Sequence, residues 1–408
     1  MRNFMRFASG AGLAVFVLTG CATPPEPADP GPFSYDDQAL AVKTMFAAQQ
    51  DGAIAQSFVG LRAKDGVQSG LFPIRASGVS TEPMRTAAET FLVTLTTAQK
   101  LRTQFGIRDS EWRRWFNIDN GIYTRQGISL KEMTPDQRAA AFGLMRASLS
   151  ARGFELTESI RKTDQTLKEL NDNAEWLDEE LYYFTMMGAP SPTEPWGWQL
   201  DGHHLVINYF VLGDQVVMTP TFLGAEPAIA KTGKYAGNSV LQEEQDRGLA
   251  LMTSLDAGQR AFATLDARKP GDNMKAAANH DNLVLDYAGV PANTFSQAQK
   301  DDLLALIALY VNNMDEGHAK IRTEEVAAQI ENTWFAWVGP VSPDAVFYYR
   351  IHSPVVLIEF DHQRPIGTQM INEPGKPTRD HIHIIIRTPN GNDYGKDLLG
   401  QHLKDHPH

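Results

Sequence analysis

Cysteine occurs once in this sequence, at Cys21. No intrachain disulfide can therefore hold the fold, and a thiol nucleophile is excluded if that residue is used for something else. Basic charge is also short: 37 Lys and Arg stand against 49 Asp and Glu, a net charge of -12. No cluster of Lys and Arg builds the basic face that nucleic acid requires, so no nucleic-acid partner is expected; the acidic excess favours solubility. There is no P-loop, no strand-linked glycine fingerprint, no His-Glu-x-x-His and no Gly-x-Ser-x-Gly. Histidine is sparse too, 11 in 408 residues, which draws attention to the strand-like run "HIHIII" from His381 to Ile386. Hydrophobic residues make up 42% of the chain, enough for a sizeable core and against disorder by composition.

No apolar run at the N-terminus is long enough to cross a bilayer. Arg2 and Arg6 precede an apolar core from Ala11 to Leu18, the pattern of an export signal. It ends in "LTGC", Leu18 to Cys21, which resembles the lipobox of bacterial lipoproteins. The resemblance implies a signal peptide over 1–20 and an acylated Cys21 that anchors the mature chain in a lipid bilayer. Ala22, rather than Asp, follows Cys21, which by the sorting rules of that family leans toward the outer membrane, facing the periplasm. Residues 21–33, with "ATPPEPADPGP", read as a stiff Pro-rich linker. Residues 34–408 are expected to form one domain.

Within that domain the first half is helical in pattern, with apolar residues three or four apart over 86–105, 134–151 and 155–181. "TPDQ" places Thr134 at a helix cap and Pro135 at the first helical position. "HLVINYFVLGDQVVMTPTFLG" then predicts a hairpin with a tight Gly213-Asp214 turn. Helical patterns return over 239–265 and 296–332, followed by "VFYYRIHSPVVLIEFD", with a turn at Ser353-Pro354, and "HIHIIIRT". This order, helices then a β-hairpin twice, predicts an α+β fold with helical layers packed on an antiparallel sheet. It also suggests an internal duplication, with pseudo-repeats over about 84–223 and 244–389. "YFTMMGAPSP" lies over "WFAWVGPVSP", and continuing without gaps sets Gln199 over Arg350 and Asn208 over Glu359.

Successive strand side chains point to opposite faces, so His381 and His383 share a face. Glu359 and Asp361 alternate in the same way. An antiparallel pairing with Asp361 opposite His381 sets Glu359 opposite His383 and leaves the other face apolar; a slip by one residue would bury charge. A tight Ser353-Pro354 turn brings Arg350 onto the same side, opposite Leu357. The Gly213-Asp214 turn pairs Asn208 with Thr219 and Val206 with Thr221, giving a second polar strip with His204. His203 falls on the other side and reads as structural. His402, after "YGKDLL", is placed to cap the patch. Imidazole nitrogens and carboxylate oxygens together can hold a divalent transition metal, and a carboxylate in such a patch can serve in proton transfer.

"WGWQLDGHHL", "PTFLGAEP", "YYRIHSPVVLIEFD" and "HIHIIIRTPNGNDYGKDLLGQH" resemble the signatures of a largely secreted bacterial family, domain of unknown function 3500. The resemblance places His204, Glu359, Asp361, His381, His383, Asp393 and His402 in matching blocks and implies no particular reaction. Three readings stay open. In the first, a lipid-anchored enzyme, His204, His381 and His383 hold a metal, Glu359 or Asp361 acts as ligand or general base, and Arg350 orients an anionic substrate in a metal-dependent hydrolysis; Asn208, Asp393 and His402 line the pocket. In the second, the same patch captures a metal or small ligand without catalysis. In the third, it is a structural polar network.

Overall fold

The long helical runs of the sequence break wherever a short polar side chain can cap a new start. The structure, a computed structural model that describes residues 40–406, opens with α1 (Leu40–Ile54). The expected signal peptide, Cys21 and the Pro-rich linker lie outside the described residues. The run expected over 86–105 is two helices, α2 (Glu82–Thr94) and α3 (Thr97–Thr103). Between them Leu95 is extended, and Thr96 and Gln99 form a reciprocal capping box that satisfies otherwise orphaned N–H groups at the start of α3. The same device, Thr134 with Gln137 and Pro135 at the first position, starts α4 (Pro135–Ser148), as the sequence indicates. Ser150 caps α5 (Ala151–Leu170), which ends eleven residues short of the expected limit.

The strands of the first half are β1 (Gln104–Phe105), β2 (Ile128–Ser129), β3 (Tyr183–Met187), β4 (Trp196–Gly202), β5 (Leu205–Leu212), β6 (Gln215–Val217) and β7 (Thr221–Ala225). The second half repeats the order. After α6 (Gln242–Ser254) come α7 (Ala257–Ala263), β8 (Thr264–Asp266) and β9 (Val290–Pro291), then α8 (Gln297–Val311) and α9 (Glu316–Ala327). β10 (Trp334–Val338), β11 (Tyr348–His352), β12 (Leu357–His362), β13 (Ile382–Arg387) and α10 (Lys396–Asp405) complete the chain. Capping boxes of Asp256 with Gln259 and Ser296 with Gln299 start α7 and α8. Gln137 Nε2 donates to Thr94 O at 2.9 Å and to Gln99 Oε1 at 2.7 Å, while Gln299 Nε2 donates to Ser254 O at 3.0 Å and to Gln259 Oε1 at 2.9 Å.

Among the described residues all thirteen strands belong to one sheet, ordered β1-β3-β4-β5-β7-β13-β12-β11-β10-β8, with β2, β6 and β9 added on β3, β5 and β10. From either edge the plan is the same: a short parallel strand, then antiparallel neighbours inward to the central β7–β13 pair. The fold is α+β. β3, β4 and β10 were not expected as strands. Their sequences, such as "YFTMM" and "WFAWV", are apolar on both faces and show no alternation.

One face of the sheet is aromatic and helix-covered. Phe91 of α2 lies 5.6 Å from Phe184, and Tyr310 of α8 hydrogen-bonds the Tyr349 hydroxyl. In α6, Gly248 leaves room for the Tyr349 ring, since an added Cβ would stand 2.2 Å from it. Stacked pairs Trp198–Tyr209 and Tyr349–Phe360, at 5.5 and 4.9 Å, occupy matching places in the two halves. The other face carries the polar side chains and is covered by loops: Gln199 Nε2 donates to Trp112 O, and Asp361 accepts from Asn273 N.

β12 and β13 do pair antiparallel with the acids and imidazoles on one face, but two residues away from the expected register. Asp361 opposes His383, Glu359 opposes Ile385, and Leu357 opposes Arg387. A slip of two keeps every side chain on its face, so the pattern could not detect it. β11–β12 shows the same slip. Its turn is Pro354-Val355, closed by Ser353 N donating to Val356 O at 2.8 Å, so Arg350 opposes Glu359 rather than Leu357. In the first half, Leu212 pairs Gln215 across Gly213-Asp214 as expected, but β6 stops at Val217. Pro220 has no N–H for a ladder, and pairing resumes one residue displaced, with Val206 opposite Phe222 instead of Thr221.

Candidate metal centre

The site forms where the two halves of the sheet meet, at one end of β7 and β13. His204 reaches it from a turn, not from a strand face. Gly202 pairs Leu205, so His203-His204 is the two-residue turn of the β4–β5 hairpin, and His204 has φ +61°. A left-handed backbone costs a residue with a Cβ about 1–2 kcal/mol, and such strain persists where surrounding structure imposes it. His204 N donates to Asn117 O at 3.2 Å, and the ring stacks on His203 with centroids 3.8 Å apart. His381 stands just before β13 and His383 within it, side by side on the polar face.

Their ring nitrogens converge. His381 Nε2 is 2.9 Å from His383 Nε2 and 3.3 Å from His204 Nε2. Three nitrogens bound tetrahedrally at 2.0–2.1 Å to one ion stand about 3.3 Å apart, and about 2.9 Å apart at right angles. His204, His381 and His383 can therefore hold a metal ion. His381 Nδ1 donates to Arg364 O at 2.7 Å, with Glu226 Oε2 3.5 Å away, which leaves the Nε2 lone pair of the neutral ring facing the other two. A carbonyl and a carboxylate behind a ligand fix its tautomer and raise its basicity. His204 Nδ1 is buried without a partner.

The electrostatics favour neutral rings. Burial, reinforced by the neighbouring imidazoles, pushes His204 and His383 well below the usual histidine range, and His381 falls too because burial outweighs Glu226. His203 goes the other way: burial lowers it, but Asp164, 2.8 Å from its Nδ1, more than compensates and holds the proton. Asp164, on α5, also accepts from the Tyr182 hydroxyl. Asp164, His203 and His204 form a second group of possible ligands that shares His204 with the first.

Metal binding to ordinary histidines weakens below pH ~6.5 because protons compete for the ring. Here burial lowers all three of His204, His381 and His383 from that point, so protons compete little between pH 6.5 and 8. Zinc affinity measured by competition with a chromophoric chelator should be flat across that interval and fall only at lower pH. A ten-fold loss between pH 7.5 and 6.5 would contradict these shifts.

The remaining expected residues are engaged in other contacts, Asp361 among them although it stands opposite His383. Glu359 accepts from Lys275 N and Ala276 N at 3.0 and 2.8 Å and from the Tyr348 hydroxyl. Asp361 takes Lys269 Nζ at 2.9 Å and the amides of Asn273 and Met274. Burial pushes the Asp361 carboxyl up to about 7 despite Lys269. Both acids thus pin the 269–276 loop to the sheet. Asn208 bridges Gln199 Nε2 and Pro220 O. Asp393 caps Thr388 N and faces Arg387. His402 is 3.4 Å from Glu194, before β4, at the opposite end of that strand from His204, and so does not cap the cluster. Glu226 and Asp164 were not singled out in the sequence. Glu226 was within reach, since it lies in the "PTFLGAEP" block; Asp164 sits on an amphipathic helix with nothing local to mark it.

No curated protein and no solved structure matches the chain. Residues 77–396, which include both halves of the sheet and all three converging histidines, match one protein family, and the chain belongs to it: the family described as "Protein of unknown function (DUF3500)".

Proposed function

We propose that this protein is an exported, lipid-anchored metalloprotein of the cell envelope and a metal-dependent hydrolase. The convergence of three neutral Nε2 atoms within one ion's coordination distance carries the reading. Three histidines leave at least one coordination position for another group, the arrangement of catalytic rather than closed structural zinc sites. A divalent ion so held supplies Lewis-acid polarisation of a carbonyl or phosphoryl oxygen. His381 is fixed from behind by Arg364 O and Glu226, while His383, half-buried, lies on the solvent side of the cluster. Asp361, across the strand pair from His383, holds the loop over this face through Lys269 and the backbone. The anchor is read from "LTGC" and Cys21, and it places the protein at a bilayer, with the outer membrane facing the periplasm as the expected address.

The burial of His204 and His381, 2% and 3% exposed, favours a second reading, a non-catalytic metal-binding lipoprotein. Protein purified without chelator should carry close to one equivalent of a transition metal by elemental analysis. Screening against esters, phosphates and amides, with and without added zinc, copper, manganese or iron, then separates the two readings. Turnover lost in His383→Ala supports the hydrolase, and metal without turnover supports the binder. No metal, and no thermal shift with any of these ions, would remove both.

A further inference from the structure

Arg350 and His352 stand next to each other on the polar face of β11 and are 6% and 1% exposed. Arg350 Nε and His352 Nδ1 are both buried without a hydrogen-bond partner. The one hydrogen bond of the guanidinium is a long one, 3.5 Å, from Nη2 to Asp286 O, and among the described residues no carboxylate comes within ion-pairing distance of it. Glu359, directly across the strand pair, has its oxygens engaged by Lys275 N, Ala276 N and Tyr348. A buried cation with an unpartnered Nε is costly unless something pairs with it.

The matching place in the first half shows what is missing. Counted from their turns, Asp201 and His352 hold the same position, opposite Val206 and Leu357. There the Asp201 carboxylate accepts from Phe116 N at 3.4 Å and lies 3.1 Å from Arg125 Nε. Gln199, in the place of Arg350, is satisfied by Trp112 O and Asn208. The second half has a cation and an imidazole in place of the amide and the acid, and its nearby carboxylate, Glu359, is taken by Lys275 N, Ala276 N and Tyr348. Tyr287 and Trp334 form an aromatic wall beside His352, with ring centroids 4.5 Å from Tyr287 to His352 and 4.4 Å from Tyr287 to Trp334.

We propose that Arg350, His352 and Tyr287 form a subsite for a small oxyanion, a carboxylate or phosphate group, distinct from the histidine cluster. Arg350 offers its guanidinium edge, and the neutral His352 ring offers Nδ1–H. Arg350 and His352 are two residues apart on one face of the strand, a backbone rise of about 6.6 Å, which one tetrahedral or planar anion can bridge. Burial, with Arg350 adding to it, pushes His352 down to about 3, which keeps that ring neutral.

The test uses the full chain in EDTA, so that it is independent of any metal. Sodium phosphate and sodium acetate are titrated separately against chloride at constant ionic strength, with thermal stability and the Arg Nε–H resonances as readouts. A rise in Tm with either anion, weakened at least ten-fold in Arg350→Gln, supports the subsite, and the anion that acts tells phosphate from carboxylate. In the wild-type protein one Arg Nε–H signal should shift on titration, a readout that stands even if the variant fails to fold. Equal responses in both proteins, or no shifted resonance at tens of millimolar anion, would mean that water alone satisfies Arg350 and would overturn the proposal.

Discussion

His381→Ala should abolish stabilisation of this protein by zinc, while Glu226→Gln should only weaken it. A ligand that binds the folded state alone stabilises it by about 4 kcal/mol at a free concentration 1,000-fold above Kd. With an unfolding entropy of about 2.1 cal/mol/K per residue, a chain of about 400 residues gains about 5 °C in Tm from that energy. His381 is the hub of the cluster, since its Nε2 is the one within 3.3 Å of both others. Its loss leaves two nitrogens that do not hold an ion against water, so the shift should vanish. Glu226→Gln keeps the acceptor that receives the amides of Ile366, Gly367 and Thr368 but removes the charge 3.5 Å behind the ligand. Removing such an outer partner costs about 10–100-fold in affinity, so the shift should shrink without disappearing. Differential scanning fluorimetry over a zinc titration, with both variants beside the wild type, reads all three outcomes. A full zinc response in His381→Ala would show that the ion sits elsewhere.

The sequence reveals most where a pattern has one physical solution. The α+β class follows from the change of period along the chain, and the cap at Thr134 from Ser/Thr chemistry at a helix start. The sharing of one face by His383, Glu359 and Asp361 follows from strand alternation. It reveals least where solutions are degenerate. Slips of two residues leave alternation unchanged, so nothing local distinguished Glu359 opposite His383 from Glu359 opposite Ile385. That difference decides the site: it moves Glu359 away from the imidazoles, and both acids are taken up by the 269–276 loop although Asp361 stays opposite His383. His204 was placed with the other two histidines for a reason the structure replaces. Expected on a strand face, it arrives from a left-handed turn residue, and sequence spacing alone cannot locate that turn. Asp164 and Glu226 act across long sequence separations, one from a helix on the other side of the turn and one from the end of β7. Their roles exist only once the halves have met.

A second large effect is expected at the buried charge network beyond the histidines on the same strand. Arg387 is fully buried. Its Nη1 lies 2.7 Å from Asp281 Oδ1 and 3.2 Å from Asp393 Oδ2, and its Nε and Nη2 donate to Ala276 O and Ala277 O. Arg113 Nε closes the group at 2.7 Å from Asp281, and Tyr394, held by Trp115 Nε1, donates to the same carboxylate. Two cations and two anions balance here, and the guanidinium fork joins the 276–281 loop, the end of β13 and the start of the C-terminal segment. Arg387→Met keeps the approximate volume but leaves two carboxylates facing one cation, a break that costs about 3–5 kcal/mol, or roughly 4–6 °C in Tm at the entropy given above. Arg387→Lys keeps the charge but cannot make the forked bonds, so it should recover only part of the loss. The deficit should also depend on pH. Burial already pushes Asp393 up to about 6 although Arg387 opposes it. A carboxyl whose folded pKa exceeds its unfolded value keeps a proton that the unfolded chain releases, so it lowers stability as pH rises between the two values. Without Arg387 the folded value climbs further, and the penalty continues to grow above pH 6. The Tm gap between wild type and Arg387→Met should therefore be smallest near pH 5 and widest near pH 8. A gap that stays constant across that range would mean that Arg387 contributes packing rather than charge.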